Sequence, residues 1–476
     1  MTLMVYNTLS RHKEEFVPMN GKAVNMFVCG QTVYDDAHLG HAKAYISFDI
    51  VARWLRYSGY KLKYIQNITD VDDKIIIRAK ERGIDPFELA REYEKRFLED
   101  MEAIGVKETV SEYPRSHDFI EAITGQIQKL IDNGVAYMVD DDIYFNVDKF
   151  PDYTKLSGMK IDELGKHRIE PKEGKINQYD FALWKAAKQG EPSWKITLKV
   201  NKKKAELNGR PGWHIEDTAI THEIFGPQYD LHGGASELIF PHHTNEIAQS
   251  EAAYGKKPFV KYWMHCGILN IKGVKMSKSL KNFVTIREVL KDYDAEVLRY
   301  LFASTHYRKE VNYTEELMDT ARKQLGYMYS AMSLFYNMPE KADKAADAEV
   351  AEIVEKLKKE FSAAMDDDIN TSLALSRLVI AINQLRLLAD SKKSVSKQVK
   401  DEAIKEILSL ANVLNILRSD SYKRKIPEAA TSLIKEREQL RKKKKFLESD
   451  AIRARLKDEF KISIEDSETG TLWYWD

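Results

Sequence analysis

The sequence predicts an α/β fold: a doubly wound parallel sheet interrupted by an insertion and followed by an α-helical bundle. Three observations predict it. Short apolar runs alternate with helical periodicity in the N-terminal part, this rhythm lapses over residues 116–205, and it resumes near Pro211. Beyond about Glu315, glycine and proline become scarce and long amphipathic segments take over.

Residues 24–29 (VNMFVC) form an uninterrupted apolar run, as expected of a buried strand, and Gly30 to Ala37 read as a turn facing phosphate. Apolar residues then recur at helical spacing from Leu39 to Tyr57. Tyr64 to Ile68 reads as the next strand, followed by an acidic turn and a helix from Lys74. Strand, helix, strand, helix implies right-handed parallel units. Ligands bind at the carboxyl ends of strands in such sheets, where Cys29 and Thr69 fall. The interrupting segment carries loops rich in Gly, Pro and Lys and a short strand at Asp142–Phe145, with Lys195–Asn208 polar enough for a surface excursion. Amphipathic stretches at 346–363, 371–390 and 400–417 predict the bundle. From Pro427 a highly charged helix is expected to carry Arg441 to Lys445. Residues 421–460 hold 13 Lys or Arg against 7 Asp or Glu, a concentration that points to RNA phosphate.

A length of 476 residues leaves room for two to four domains, and 43% apolar with 31% charged residues fits a soluble chain. Formal net charge is zero, so nucleic-acid binding must rest on local patches. Two cysteines, Cys29 and Cys266, exclude a disulfide framework and fit a reducing compartment. Neither a signal-like segment nor a membrane-spanning apolar run is evident, so a cytoplasmic protein is expected, with no membrane partner.

Two motifs carry the chemistry. His38-Leu39-Gly40-His41 puts two imidazoles one turn apart at a helix opening, where backbone N–H groups and the helix dipole favour phosphate. Lys275-Met276-Ser277-Lys278-Ser279 follows 237 residues later and sets two lysines three residues apart in a loop expected to be flexible. Each alone is a weak signal. Together they form the halves of a grip on a nucleoside triphosphate.

The whole chain resembles the class I cysteinyl-tRNA synthetases. The segments that carry the resemblance include FVCGQTVYDDAHLGHAKAYISFDI, NITDVDDKIIIRA, GRPGWHIEDTAI, YDLHGGASELIFPHHTNEIAQSEA, KMSKSLKNF and MDDDINTSLAL, in family order. The resemblance implies a Rossmann-type sheet split by a connective insertion, then an anticodon-binding helical bundle. The expected division is 1–115 for the first half of the Rossmann core, 116–205 for the insertion and 206–265 for the second half. A stem-contact fold with the KMSKS loop at 266–315, the bundle at 316–425 and a basic C-terminal module at 426–476 complete it. The implied activity is ATP-dependent activation of L-cysteine and its transfer to the 3′ end of tRNA(Cys), in a monomer.

Activation sends a carboxylate onto the α-phosphorus of ATP (entering with Mg²⁺) and expels pyrophosphate, so fixed positive charge and N–H donors do most of the work. His38, His41, Lys275 and Lys278 are the expected catalytic groups, with Thr32 also at ATP. Selecting cysteine over serine calls for a metal, because apolar fit to one small group yields only about 1–3 kcal/mol, whereas zinc binds thiolate well. The resemblance implies one Zn²⁺ and the ligands Cys29, His242 and Glu246, the last two at helical spacing. The fourth family position is usually cysteine and here is Asp217. Aspartate is an acceptable zinc ligand, and two outcomes stay open: direct ligation, or a supporting place behind three ligands. The resemblance also places Gly30, Thr69, Trp213 and His232 at the amino acid, with Trp213 as its floor. Trp213 could equally be core and Thr69 a helix cap. His222, His243 and His265 are expected to be structural, and Asp70, Asp72 and Asp73 to complement a helix N-terminus rather than hold magnesium. Gln31 and Lys281 depart mildly from the family pattern. Two other readings compete: an RNA-binding paralogue without catalysis, and a cysteine ligase acting on a small-molecule amine. Intact motif residues oppose the first, and the long C-terminal half opposes the second.

Overall fold

The computed structural model describes residues 2–159, 172–275, 282–391, 393–467 and 470–475, with the backbone alone for Lys275, Ser467 and Gly470. Lys278 and Lys281 lie outside the described residues. The chain forms two compact units, one of residues 2–289 with 307–311, the other of 290–306 with 312–476.

In the first unit four parallel strands make the central sheet. They are β1 (Ala23–Thr32), β2 (Lys61–Thr69), β3 (Tyr229–Ala235) and β4 (Val260–Cys266), in the order β4-β3-β1-β2. Helix α1 (Leu39–Tyr57) links β1 to β2 and is buried nearly all round: Ala42, Ile46, Phe48, Val51, Ala52 and Leu55 are almost completely buried. That is the pattern of a helix enclosed by core. The connection from β1 runs to one side and the chain later returns to β3 on the other, so β1 and β3 flank the switch point of the sheet. A crevice opens there at the carboxyl ends. Pairing of β1 with β2 shifts register between Val28 and Gln31, which takes Cys29 and Gly30 out of the regular ladder just where the crevice begins. Helices α2 (Ile215–Phe225) and α3 (Thr244–Tyr254) complete the walls that matter for the site.

The interrupting segment folds as a five-stranded antiparallel sheet in the order 136–139, 142–145, 181–186, 203–211, 194–200. Lys195–Asn208, expected as a surface excursion, is most of a β-hairpin closed by Asn201 and Lys202, both at positive φ (52° and 64°), the geometry of a type I′ turn. Ile196, Leu198 and Leu207 point to the core and lysines point out, an alternation that the dense lysines obscure in the sequence. The last strand ends at Pro211, beyond residue 205, where the expected insertion stops.

The second unit contains four long helices, Glu315–Tyr336, Lys344–Asp366, Thr371–Asp390 and Lys397–Leu414, the first three capped by Thr314, Asp343 and Asn370. By length and composition Thr371–Asp390 could cross a membrane; here it buries Ala374, Leu375, Leu378, Ala381, Ile382 and Leu385. The tail differs from the single charged helix expected. It forms helices Glu428–Lys442 and Phe446–Phe460 and then a hairpin of Ile462–Ser467 with Gly470–Trp475. Arg441 and Lys442 end the first helix and Lys444, at φ 60°, makes the turn. The physical reason is burial: Ala430, Leu433 and Ile434 meet Ile452 and Leu456 around one small core, which a straight helix could not close, and a lysine run has no apolar face to lose at a turn. Arg437, fully buried, holds Asp466 of the hairpin through bonds of 2.7 and 2.8 Å.

Candidate active site and metal centre

The opening of α1 is built by its own histidines. His38 is the N-cap: the His41 N–H donates to His38 Nδ1 (3.2 Å), and the His38 N–H donates back to His41 Nδ1 (3.4 Å). The rings stack with centroids 3.7 Å apart. Both Nδ1 atoms accept from the backbone, so each neutral ring carries its proton on Nε2. Each imidazole therefore carries its N–H on Nε2, the kind of donor from which a phosphoryl oxygen accepts.

The segment after the KMSKS motif joins the same place. Leu39 N–H donates to Val284 O (3.0 Å), Ile286 N–H donates to Ala37 O (2.9 Å), and Phe283 lies edge-on to His38. Before the motif, Val274–Lys275 folds back on Leu269–Ile271 through a turn at Lys272 and Gly273. The backbone thus holds the segment after the lysine motif beside the histidines. Lys43, two residues beyond His41, is buried, and its Nζ donates to the carbonyls of Gly267 (2.7 Å) and Tyr307 (3.0 Å).

A cleft of about 440 Å³ lies at the switch point. Cys29, Gly30, Thr32, His38, His41, Thr69, Trp213, Asp217 and His242 line it, and His232 and Glu246 are buried behind. Glu246 follows His242 by four residues, which turns both side chains toward Cys29 and Asp217. Among these four, His242 Nε2 is 3.0 Å from Asp217 Oδ2 and 3.2 Å from Glu246 Oε1, and Cys29 Sγ is 4.0 Å from Glu246 Oε1. Ligand bonds of 2.0–2.3 Å at tetrahedral angles put donor atoms roughly 3.3–3.7 Å apart, so the set is close to closing on one small ion. The electrostatics agree. Burial, reinforced by the nearby Asp217, pushes the Glu246 carboxyl well above its usual range, and burial with Glu246 and Asp217 does the same to the Cys29 thiol. Glu246 Oε2 is buried without a hydrogen-bond partner. Acids packed this closely need a cation to ionise together, and a thiolate, an imidazole and two carboxylates suit zinc.

Two histidines expected to be merely structural or substrate-facing stand behind Cys29. His232 Nε2 is 3.3 Å and His243 Nε2 is 3.1 Å from Sγ. Tyr229 OH donates to His232 Nδ1 (2.6 Å), and Thr8 OH to His265 Nδ1 (2.8 Å), whose Nε2–H donates to His243 Nδ1 (2.8 Å). Each relay ends in an Nε2–H donated to sulfur. Cys29, His232, His243 and Glu246 make a second buried group able to hold an ion; with the tautomers above, both rings serve Cys29 as hydrogen-bond donors. With both ring nitrogens committed, His232 does not face the cleft. His242 is held from its far side by His214, with the two Nδ1 atoms 2.8 Å apart.

Trp213, 37% exposed, stacks on His242 with centroids 4.4 Å apart and forms a wall of the cleft rather than core. Thr69 donates to Glu216 Oε1 (2.7 Å), and the cap of helix Asp73–Arg82 is Asp72. Asp73 pairs with Lys185 and Arg210, and Asp70 with His117. The residue that sequence reasoning missed is Asn67. Its Oδ1 accepts the Gly30 N–H (2.6 Å), and its Nδ2 donates to Asp217 Oδ1 (2.7 Å). Gly30 is required there, because a Cβ would lie 1.6 Å from the Asn67 carbonyl oxygen. Asparagine does not titrate, so no motif logic singles it out.

Comparisons with known proteins bear on the family and the fold. Residues 15–323 match the family of tRNA synthetases class I (C) catalytic domain, and residues 360–418 match the DALR domain. The cysteine--tRNA ligase of Thermococcus onnurineus is 43% identical over 482 residues, covering 99% of both chains. Those of Trichlorobacter lovleyi (44%) and Pseudomonas aeruginosa (43%) also align over 99% of each chain. Among solved structures, the Mycobacterium tuberculosis methionyl-tRNA synthetase in complex with methionyl-adenylate superposes with a TM-score of 0.59 at 16% identity, over 83% of this chain and 89% of that one, a likeness of fold. Catalytic-domain match, helical-domain match and full-length identity agree: the chain belongs to the cysteine--tRNA ligase family of class I tRNA synthetases.

Proposed function

We propose that the protein activates L-cysteine with ATP and transfers it to tRNA(Cys), using a zinc site to recognise the thiol. Full-length identity to cysteine--tRNA ligases carries the reaction, and the clustered Cys29, Asp217, His242 and Glu246 support the metal. The cysteine carboxylate attacks the α-phosphorus of ATP, the bond to the β-phosphate oxygen breaks, and pyrophosphate leaves. His38 and His41 donate their Nε2–H groups to phosphoryl oxygens as charge gathers there. Lys278, with Lys275 assisting, neutralises the same charge. Each such contact is worth on the order of 3 kcal/mol, about a hundredfold in rate. ATP enters with Mg²⁺ beside Thr32, and Gly30 borders the amino acid. A ribose hydroxyl of the terminal tRNA nucleotide then attacks the cysteinyl carbonyl, releasing AMP.

Cys29, Asp217, His242 and Glu246 hold the zinc, and His232 and His243 steady the Cys29 sulfur from behind. Bound there, zinc supplies a soft Lewis acid that takes a thiolate in preference to a hydroxyl. Trp213 and Thr69 flank the amino acid. In the expected domain division, residues 316–425 read the anticodon and 426–476 add basic contacts to a tRNA bound by a monomer. Alignment through the helical half disfavours both the paralogue and the small-molecule ligase.

Pyrophosphate exchange with cysteine and with serine, on metal-stripped protein with and without zinc, tests the reading. Zinc-dependent exchange with cysteine alone is expected. Equal exchange without metal would remove zinc from the account, and none with any amino acid would remove the activity.

A further inference from the structure

We infer that Asn67 is the residue that positions Asp217 as a one-oxygen metal ligand and sets its distance from Cys29. The inference rests on the zinc-site reading above and concerns how this chain makes an aspartate serve there.

A carboxylate can give a metal one oxygen or two. With two, Asp217 would occupy the space that a substrate sulfur needs. Its Oδ1, however, accepts the Asn67 amide at 2.7 Å, while Oδ2 is turned to His242 Nε2 at 3.0 Å. Only Oδ2 is left facing His242. The same amide reaches the other side of the site: its Oδ1 takes the N–H of Gly30, the neighbour of Cys29, at 2.6 Å. One planar group thus spans β1 and the first turn of α2, fixing both anionic ligands against each other. Asn67 and Asp217 are each 1% exposed, so water is no ready substitute for the bond. The β1 register break at this point leaves the Gly30 N–H to the Asn67 side chain. Residues that orient ligands change metal affinity by about 10–100-fold when removed.

The test is zinc affinity of the full-length protein, by competition with a chromophoric chelator, together with the visible spectrum of the Co²⁺-substituted protein. Asn67→Ala is expected to weaken zinc about 10–100-fold and to change the cobalt bands toward higher coordination as the carboxylate turns. In an Asp217→Cys background, where no second oxygen needs holding, the same change is expected to cost less than about threefold, against the tenfold or more expected of the orienting contact. Asn67→Asp keeps an acceptor for Gly30 and the shape of the side chain while losing the donor. It carries the same expectation should the alanine variant fold poorly. Affinity within threefold of wild type for both variants, or an equal loss in both backgrounds, would overturn the inference. His242→Ala separates the two claims. Zinc lost in that variant but kept on changing Asn67 leaves the site standing and removes the role of Asn67, whereas wild-type protein without zinc affinity removes both.

Discussion

Gly30→Ala strikes the point where strand geometry and metal chemistry meet. An added Cβ would lie 1.6 Å from the carbonyl oxygen of Asn67 and 2.7 Å from its carbonyl carbon. A comfortable carbon–oxygen approach is about 3.3 Å, so β1 and β2 must part locally by roughly 1.7 Å. Both obstructing atoms are backbone and cannot rotate away. The displacement is several times the tolerance of about 0.2 Å on metal–ligand distances, and it moves Cys29 and Asn67 apart together with the amide that holds Asp217. Overpacking alone costs about 1–3 kcal/mol. We expect zinc affinity to fall at least about a hundredfold, or roughly 2.7 kcal/mol, with a lowered melting temperature. Gly21→Ala is the control: at φ +57° it carries local strain of about 1–2 kcal/mol, but nothing lies within 4 Å of its Cβ, so zinc affinity should not change. Chelator competition and scanning fluorimetry on both variants decide the matter. Wild-type zinc affinity in Gly30→Ala would refute the claim that close approach of these strands builds the site.

Other predictions follow from the same geometry. His38→Asn keeps a good N-cap acceptor but removes the Nε2–H, so pyrophosphate exchange should fall about a hundredfold with little change in melting temperature. His38→Ala should lose about 1 kcal/mol of stability as well; equal activity in His38→Asn would exclude the donor role. Removing metal with a chelator should lower the melting temperature, and zinc at a hundred times its Kd should restore about 2.7 kcal/mol; a melt indifferent to zinc would contradict the site. Burial holds the Asp100 carboxyl up at about 7 despite Arg287 nearby, against an ordinary 3.8. The native state keeps a proton that the unfolded chain releases, so this group's contribution falls as pH rises between those values. Asp100→Asn should therefore raise the melting temperature more at pH 8 than at pH 5, and an equal gain at both would show that burial is not the cause.

The sequence is legible where one physical rule dominates. Leu39–Tyr57 and Thr371–Asp390 fold at the bounds their periodicity gives, because long apolar stripes leave the chain little choice. Cys29, His242 and Glu246, which the resemblance named together, have their donor atoms within 4.8 Å of one another. Elements set by tertiary geometry were harder to read. The hairpin of Trp194–Pro211 hides its alternation among lysines, and the break at Lys444 answers to a small core formed by residues on both sides of it. His243 and His265 look like core histidines, because the sulfur they serve lies far away in sequence. Asn67 and Glu216 act through hydrogen bonds whose partners only the folded sheet supplies.

Lys43 ties the helix of His38 and His41 to both ends of the stretch that carries the KMSKS motif. Its ammonium grasps the carbonyls at Gly267 and Tyr307, the departure and return points of the stretch that carries Lys275 and Lys278. The histidines sit within about a turn and a half of Lys43 at the opening of the same helix. The chain that leaves at Gly267 and returns at Tyr307 is thus pinned at both points to the histidine helix. A change that frees Lys43, such as Lys43→Met, would loosen that tie while leaving His38, His41, Lys275 and Lys278 themselves unchanged.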